Sequence, residues 1–252
     1  MIEAETARRL SSSRDRRASP VAVRYLVACL MLAPAVLALG SILTQSVPGA
    51  ITGLLVFGVF AAFAGVALRR HYPHARLGIA NIVTLSRAAI IAALCALLAA
   101  PGLLAHSDQL AWAVLAIAVF SLCLDGVDGH FARRQGLASE FGARFDMEID
   151  SIFALLLALL CWQSGKAGAW VLALGSMRYL FLGAAFVWPW LLAPLPERFT
   201  RKAICVVQIA ALIALLAPII GGPLSWSLAA IATLLLAYSF GRDVIWLARH
   251  RS

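Results

Sequence analysis

The segment LDGVDGHFARRQGLASEFGARFDMEID, residues 124–150, holds six of the chain's twelve acidic residues. Asp125 and Asp128 are three positions apart, and Asp146 and Asp150 are four apart. On a helix either spacing places both carboxylates on one face. Four ionised carboxylates converging in an apolar setting repel one another, and each is costly to bury unless a cation holds it. The donors are oxygen only, with no His or Cys in the set, which favours a hard divalent ion, Mg²⁺ or Mn²⁺. A pair of such ions about 3.5–4 Å apart suits phosphoryl transfer. The neighbouring residues fit a phosphate ligand. Gly129 and Gly142 allow a nucleotide to approach the backbone closely, and Arg133 offers a planar fork for phosphate oxygens.

The elements that must position these groups are membrane helices. The chain has 252 residues, 62% hydrophobic and 13% charged, whereas a soluble domain carries about 25% charged residues. A span needs about 20 apolar residues. Eight stretches qualify, near 22–44, 49–68, 79–100, 109–128, 146–163, 168–192, 202–220 and 224–246. This predicts an all-α polytopic membrane protein with about eight transmembrane helices. The net charge of +9 is not a nucleic-acid signature, because the basic residues sit at segment ends, where membrane topology places them. Arg8, Arg9, Arg14, Arg16, Arg17 and Arg24 precede the first helix. Arg69, Arg70 and Arg76 follow the second, and Arg133, Arg134 and Arg144 the fourth. Arg198, Arg201 and Lys202 follow the sixth, and Arg249 and Arg251 end the chain, while the alternate connections hold only Lys166. With eight helices every basic connection falls on one side. That side is expected to be cytoplasmic, with both termini and the aspartates on it. The first apolar run is about twice as long as a signal-peptide core and is read as a retained helix. Cys29, Cys95, Cys123, Cys161 and Cys205 lie in or at the ends of apolar runs without CxxC spacing and read as reduced packing residues.

Asp125-x2-Asp128-Gly129-x2-Ala132-Arg133-x8-Gly142-x3-Asp146-x3-Asp150 matches, position for position, the signature D-x2-DG-x2-AR-x8-G-x3-D-x3-D. The chain thereby resembles the CDP-alcohol phosphotransferases, integral membrane enzymes of phospholipid synthesis. Weaker likenesses flank the motif. NIVTLSR resembles the family's first-helix pattern, with Asn81, Thr84 and Arg87, although Ala80 stands where Pro is frequent. RKAICVVQ resembles a GK-x2-T-x2-Q pattern, with Lys202 and Gln208 kept and Arg201 and Cys205 in place of Gly and Thr. Arg178 stands about where phosphatidylglycerol-phosphate synthases carry an arginine. The resemblance implies a six-helix catalytic domain at 71–252. Residues 1–70, a basic tail and two further helices, lie outside it. Members often carry an interfacial helix before the core, for which RRHYPHAR leaves little room.

The resemblance further implies the reaction: transfer of a phosphatidyl group from a CDP-alcohol, most often CDP-diacylglycerol, to an acceptor hydroxyl, with release of CMP. Asp125, Asp128 and Asp146 would hold one metal, and Asp125, Asp146 and Asp150 would surround the other. Asp150 would also be the general base. Gly129, Ala132, Arg133 and Gly142 would shape the CDP pocket. A homodimer is expected on the same ground. The candidate acceptor or cavity residues are Asn81, Thr84, Arg87, Arg178, Arg201 and Lys202. Arg178 lies mid-helix, where a lone guanidinium is expensive. Arg201 and Lys202 open the seventh helix on the side of the aspartates. Their convergence on an anionic group would select a phosphorylated acceptor, such as inositol phosphate or glycerol phosphate.

Plainer readings stand beside these. Asn81 and Thr84 could serve as interhelical hydrogen bonds, and Arg178 could pair with a carboxylate. Glu140 and Glu148 fall outside the signature and read as solvated or paired with Arg144. Two other functions compete. An Asp-rich aromatic prenyltransferase needs two acidic clusters on separate helix pairs, but here there is one, with Asp108 and Asp243 standing alone. A transporter would place charges at mid-membrane depth in repeated halves, whereas these acids gather at one face.

Overall fold

The computed structural model describes residues 20–74, 76–135, 137, 139–196 and 199–250, with the side chains of 127–135, 199 and 202 outside that description. Eight α-helices and no strand occur among the described residues. They are α1 (Pro20–Thr44), α2 (Val47–His71), α3 (Ile79–Cys95), α4 (Asp108–Gln135), α5 (Glu140–Gln163), α6 (Leu172–Val187), α7 (Phe199–Leu215) and α8 (Gly222–Arg249). Six stretches are long and apolar enough to cross a membrane, against eight expected. The other two are α5, whose first half carries Asp146, Glu148 and Asp150, and α7, which has 17 residues. The expected helix ends also shift. The fourth helix runs on to Gln135, so the motif from Asp125 to Arg133 lies on one unbroken helix, and the fifth begins at Glu140 rather than 146. Residues 72–74 and 76–78 form no helix between α2 and α3.

α3 is the centre of the bundle. Leu85, Ala88, Ile91, Ala92, Ala93 and Leu94 are all fully buried, and the second half of the helix, from Ala88 on, is apolar on every side. It packs against α1, α2, α4 and α5. α5 in turn packs against α6 and α7, and α8 covers α7. One continuous hydrophobic core joins α1 and α2 to the helices after residue 71. Gly53 lets α2 lie close to α3, since a Cβ there would stand 3.2 Å from the Ala92 carbonyl oxygen. Lys166, the basic residue in the otherwise uncharged connections, has a local explanation. Its Nζ donates to the carbonyls of Ala217 at 2.8 Å and Ile220 at 2.7 Å, satisfying backbone acceptors just beyond α7.

Membrane helices associate through small residues that let backbones approach, and Gly175 on α6 is such a contact. A Cβ there would lie 2.5 Å from Leu155 Cα and 2.8 Å from the Ala154 carbonyl oxygen on α5. Both are backbone atoms and cannot swing aside. Gly175→Ala should therefore push α6 off the helix that carries Asp146 and Asp150, destabilising the protein by about 1–3 kcal/mol, the usual cost of overpacking. Gly183 on the same helix has open space at its Cβ, so Gly183→Ala should melt as the parent does. Equal melting temperatures for the two variants would show that α6 is free to move.

Candidate active site

Three of the four signature aspartates meet. Asp125 comes from α4, and Asp146 and Asp150 from α5, and their carboxylate oxygens lie within 4.8 Å of one another. The i, i+4 spacing puts Asp146 and Asp150 one turn apart on one face of α5. Ser139 starts that helix, its side chain accepting from the Gly142 N–H at 3.1 Å, so the first turn is capped just before the acids begin. The side chain of Asp128 lies outside the described residues, as do those of Ala132 and Arg133 in the expected CDP pocket. Their backbone continues α4 past Asp125. Gly142 is described: a Cβ on it would stand 3.0 Å from Asn81 Oδ1, so the absence of a side chain lets α5 come down on α3.

Beneath the carboxylates lies Arg87. Its Nη1 donates to Asp125 Oδ1 at 2.8 Å and to Asp146 Oδ1 at 2.7 Å, and its Nη2 donates to Asp150 Oδ1. The arginine side chain is 0% exposed, while the three aspartates are 26%, 34% and 32% exposed. The cation thus seals the floor and the carboxylates open above it. Of the expected cavity residues, Arg87 contacts Asp125, Asp146 and Asp150 directly. The same rule that makes a lone intramembrane arginine expensive was the signal that would have paired it with them. Asn81 and Thr84 lie on the same helix and are buried. The Thr84 hydroxyl donates to the Ala80 carbonyl at 3.1 Å.

The charge balance bears on a metal. Among the described residues, one guanidinium meets three carboxylates, a formal excess of two negative charges. A carboxylate has two oxygens and about four lone-pair sites, so contact with Arg87 leaves each aspartate capacity for a further cation. An all-oxygen donor set opening to one side fits a hard divalent ion.

The remaining cations do not all converge. Arg178 pairs with Glu148 and lies against Met147. Position 148 is about 200° around the helix from both 146 and 150 at 100° per residue, so this pair sits on a different face of α5 from the aspartates. Glu148 therefore pairs with Arg178, not with Arg144 as expected, and Arg144 takes Glu140 at 2.6 Å. Asp243 does not stand alone: it is buried on α8, 3.6 Å from Arg201 Nη1. Sequence spacing gave no signal for either pair, because each joins separate helices. Gln208, on α7, is buried and donates to the Leu174 carbonyl of α6, which fixes the rotation of α7. The Lys202 side chain lies outside the described residues.

No curated protein and no solved structure matches the chain. A family model does. It spans residues 77–239 of the 252, beginning just ahead of α3 and running into α8. It therefore takes in every helix that supplies Arg87 or an aspartate, and by it the chain belongs to the CDP-alcohol phosphatidyltransferase family, whose members are membrane-embedded phosphotransferases acting on CDP-alcohols.

Proposed function

We propose that the protein transfers the phosphatidyl group of CDP-diacylglycerol to a phosphorylated alcohol, of the inositol phosphate or glycerol phosphate kind. The observation that carries this reading is the cluster itself: Asp125, Asp146 and Asp150 converging over a buried arginine. Asp125, Asp128, Asp146 and Asp150 would hold two divalent ions, Mg²⁺ or Mn²⁺. Bound there, the ions would neutralise the diphosphate of the donor and so favour departure of CMP. Gly129, Ala132, Arg133 and Gly142 would receive the cytidine diphosphate, with the acyl chains in the bilayer. Asp150 would take the proton of the acceptor hydroxyl as its oxygen forms a bond to the lipid-side phosphorus. The bond from that phosphorus to the bridging oxygen breaks in the same exchange, and CMP carries the electron pair away.

Arg201, at the start of α7 and paired with Asp243, and Lys202 beside it in sequence would meet an acceptor phosphate. Arg178, engaged by Glu148 across α5, is better suited to holding α6 on α5. The excess of arginine at alternate connections supports a cytoplasmic site, where the nucleotide is available. The family resemblance supports a homodimer.

The test is purified protein in detergent or nanodiscs, given labelled CDP-diacylglycerol and a panel of alcohols. CMP and a new lipid should appear with Mg²⁺ or Mn²⁺ and a phosphorylated acceptor, and EDTA should abolish both. CMP release undiminished in EDTA would overturn the metal assignment. Transfer to neutral alcohols alone would overturn the choice of acceptor.

A further inference from the structure

We infer that Tyr72, the residue on which the two N-terminal helices end, is a positioning residue for the CDP-alcohol pocket. Pro73 follows it, and a residue before proline is held out of the helical region. Tyr72 accordingly has φ −89° and ψ 116°, caps α2 and gives its backbone N–H to the Leu68 carbonyl at 3.1 Å. That extended turn sends the side chain to two other helices. The phenolic oxygen donates to the Arg76 carbonyl at 2.8 Å and accepts from the Gly78 N–H at 3.2 Å. Gly78 is the N-cap of α3 and has no side chain to cap the helix itself, so Tyr72 fixes where α3 starts. The ring of Tyr72 meets Phe141 edge-on at 5.7 Å, and Phe141 stacks on Phe145 at 5.8 Å. Phe141 and Phe145 are both buried on the first turns of α5.

One side chain therefore holds the beginning of α3 and the beginning of α5 together. Between those beginnings lie Asn81 and Gly142, separated by no more than a missing methyl group. Deeper on the same two helices lie Arg87, Asp146 and Asp150. His74 packs edge-on against Tyr72 at 5.4 Å, which closes off the outer side of the ring. The inference gives the end of α2 a part in the reaction: its C-cap, Tyr72, sets the approach of α3 to α5. It rests on the reading of Gly142 as part of the nucleotide pocket.

Tyr72→Phe keeps the ring against Phe141 and removes both hydrogen bonds of the oxygen. Tyr72→Ala removes everything. Steady-state kinetics on the full-length protein, titrating CDP-diacylglycerol and acceptor separately, should show the donor KM raised about two- to tenfold in Tyr72→Phe, the range of one or two lost hydrogen bonds. Tyr72→Ala should raise it further, with acceptor KM and kcat changed less than the donor KM in both. Wild-type donor KM in Tyr72→Ala overturns the inference. So does a loss of melting temperature with the kinetic constants of the folded fraction unchanged, the result of a purely structural role. Gly142→Val is the reference arm. If it leaves the donor KM untouched, the pocket assignment of Gly142 fails, while the Tyr72 variants are still judged on their own donor KM.

Discussion

Asp150→Asn should lower turnover by about 10²–10⁴-fold, the usual contribution of a positioned general base, while leaving the donor KM within a few-fold. The substitution keeps shape and volume but turns one carboxylate oxygen into an amide nitrogen. That nitrogen cannot accept a proton from an acceptor hydroxyl. In the parent, Arg87 Nη2 donates to Asp150 Oδ1, and this contact fixes the orientation of the carboxylate. Asp150 sits one turn past Asp146 on the same face of α5. Loss of a metal ligand would also lower the rate, and two measurements separate the causes. Mn²⁺ titration reports the metal directly. The pH profile reports the base: the parent should lose activity on the acid side as the base becomes protonated, and the residual rate of Asp150→Asn should lack that limb. Near-parental turnover at saturating metal would remove Asp150 from the role. Asp125→Asn should also weaken metal binding, since Asp125, like Asp146, would serve both ions.

How much of this site could be read from the chain alone follows from what periodicity encodes. The spacings 125–128 and 146–150 fix which acids share a face, because residues three and four apart lie together on any α-helix. That much holds for every helix rotation, and Asp125, Asp146 and Asp150 do meet. Which helix faces which is a different matter. It depends on close contacts such as Gly175 against Leu155 and Gly53 against Ala92, and these involve residues far apart in sequence. Arg178 and Glu148 illustrate the limit. Both were visible as charges, but only the rotation of α6 on α5 decides that they pair with each other. Asp243 and Arg201 are likewise brought together by the seating of α8 on α7. The two N-terminal helices had no assignable part from sequence, because their links to the site, packing on α3 and the contact of Tyr72 with Phe141, join residues that no short motif contains.

Arg87 leads to the second large effect. Its guanidinium is fully buried and is held by three carboxylates from two other helices. Before any metal binds, it is the cation seen among the described residues to keep Asp125, Asp146 and Asp150 together. Removing one partner of a buried ion pair typically costs about 3–5 kcal/mol, because the charges left behind are uncompensated. Arg87→Met keeps the length and apolar stem of the side chain and removes the charge. In EDTA it should melt roughly 6–20 °C below the parent, given about 2–4 °C per kcal/mol for a chain of this size. A divalent ion supplies the missing charge, so Mn²⁺ should raise the melting temperature of Arg87→Met by more than it raises that of the parent. Turnover should still be reduced at saturating Mn²⁺, by about 10–100-fold, the usual cost of losing a residue that orients metal ligands. Arg87→Lys should fall between the two, since a single ammonium cannot span three carboxylates as a planar fork does. A parental melting temperature for metal-free Arg87→Met would mean that the aspartates are neutralised by something other than this arginine. An Mn²⁺ shift no larger than the parent's would mean that metal and guanidinium do not share the same carboxylates.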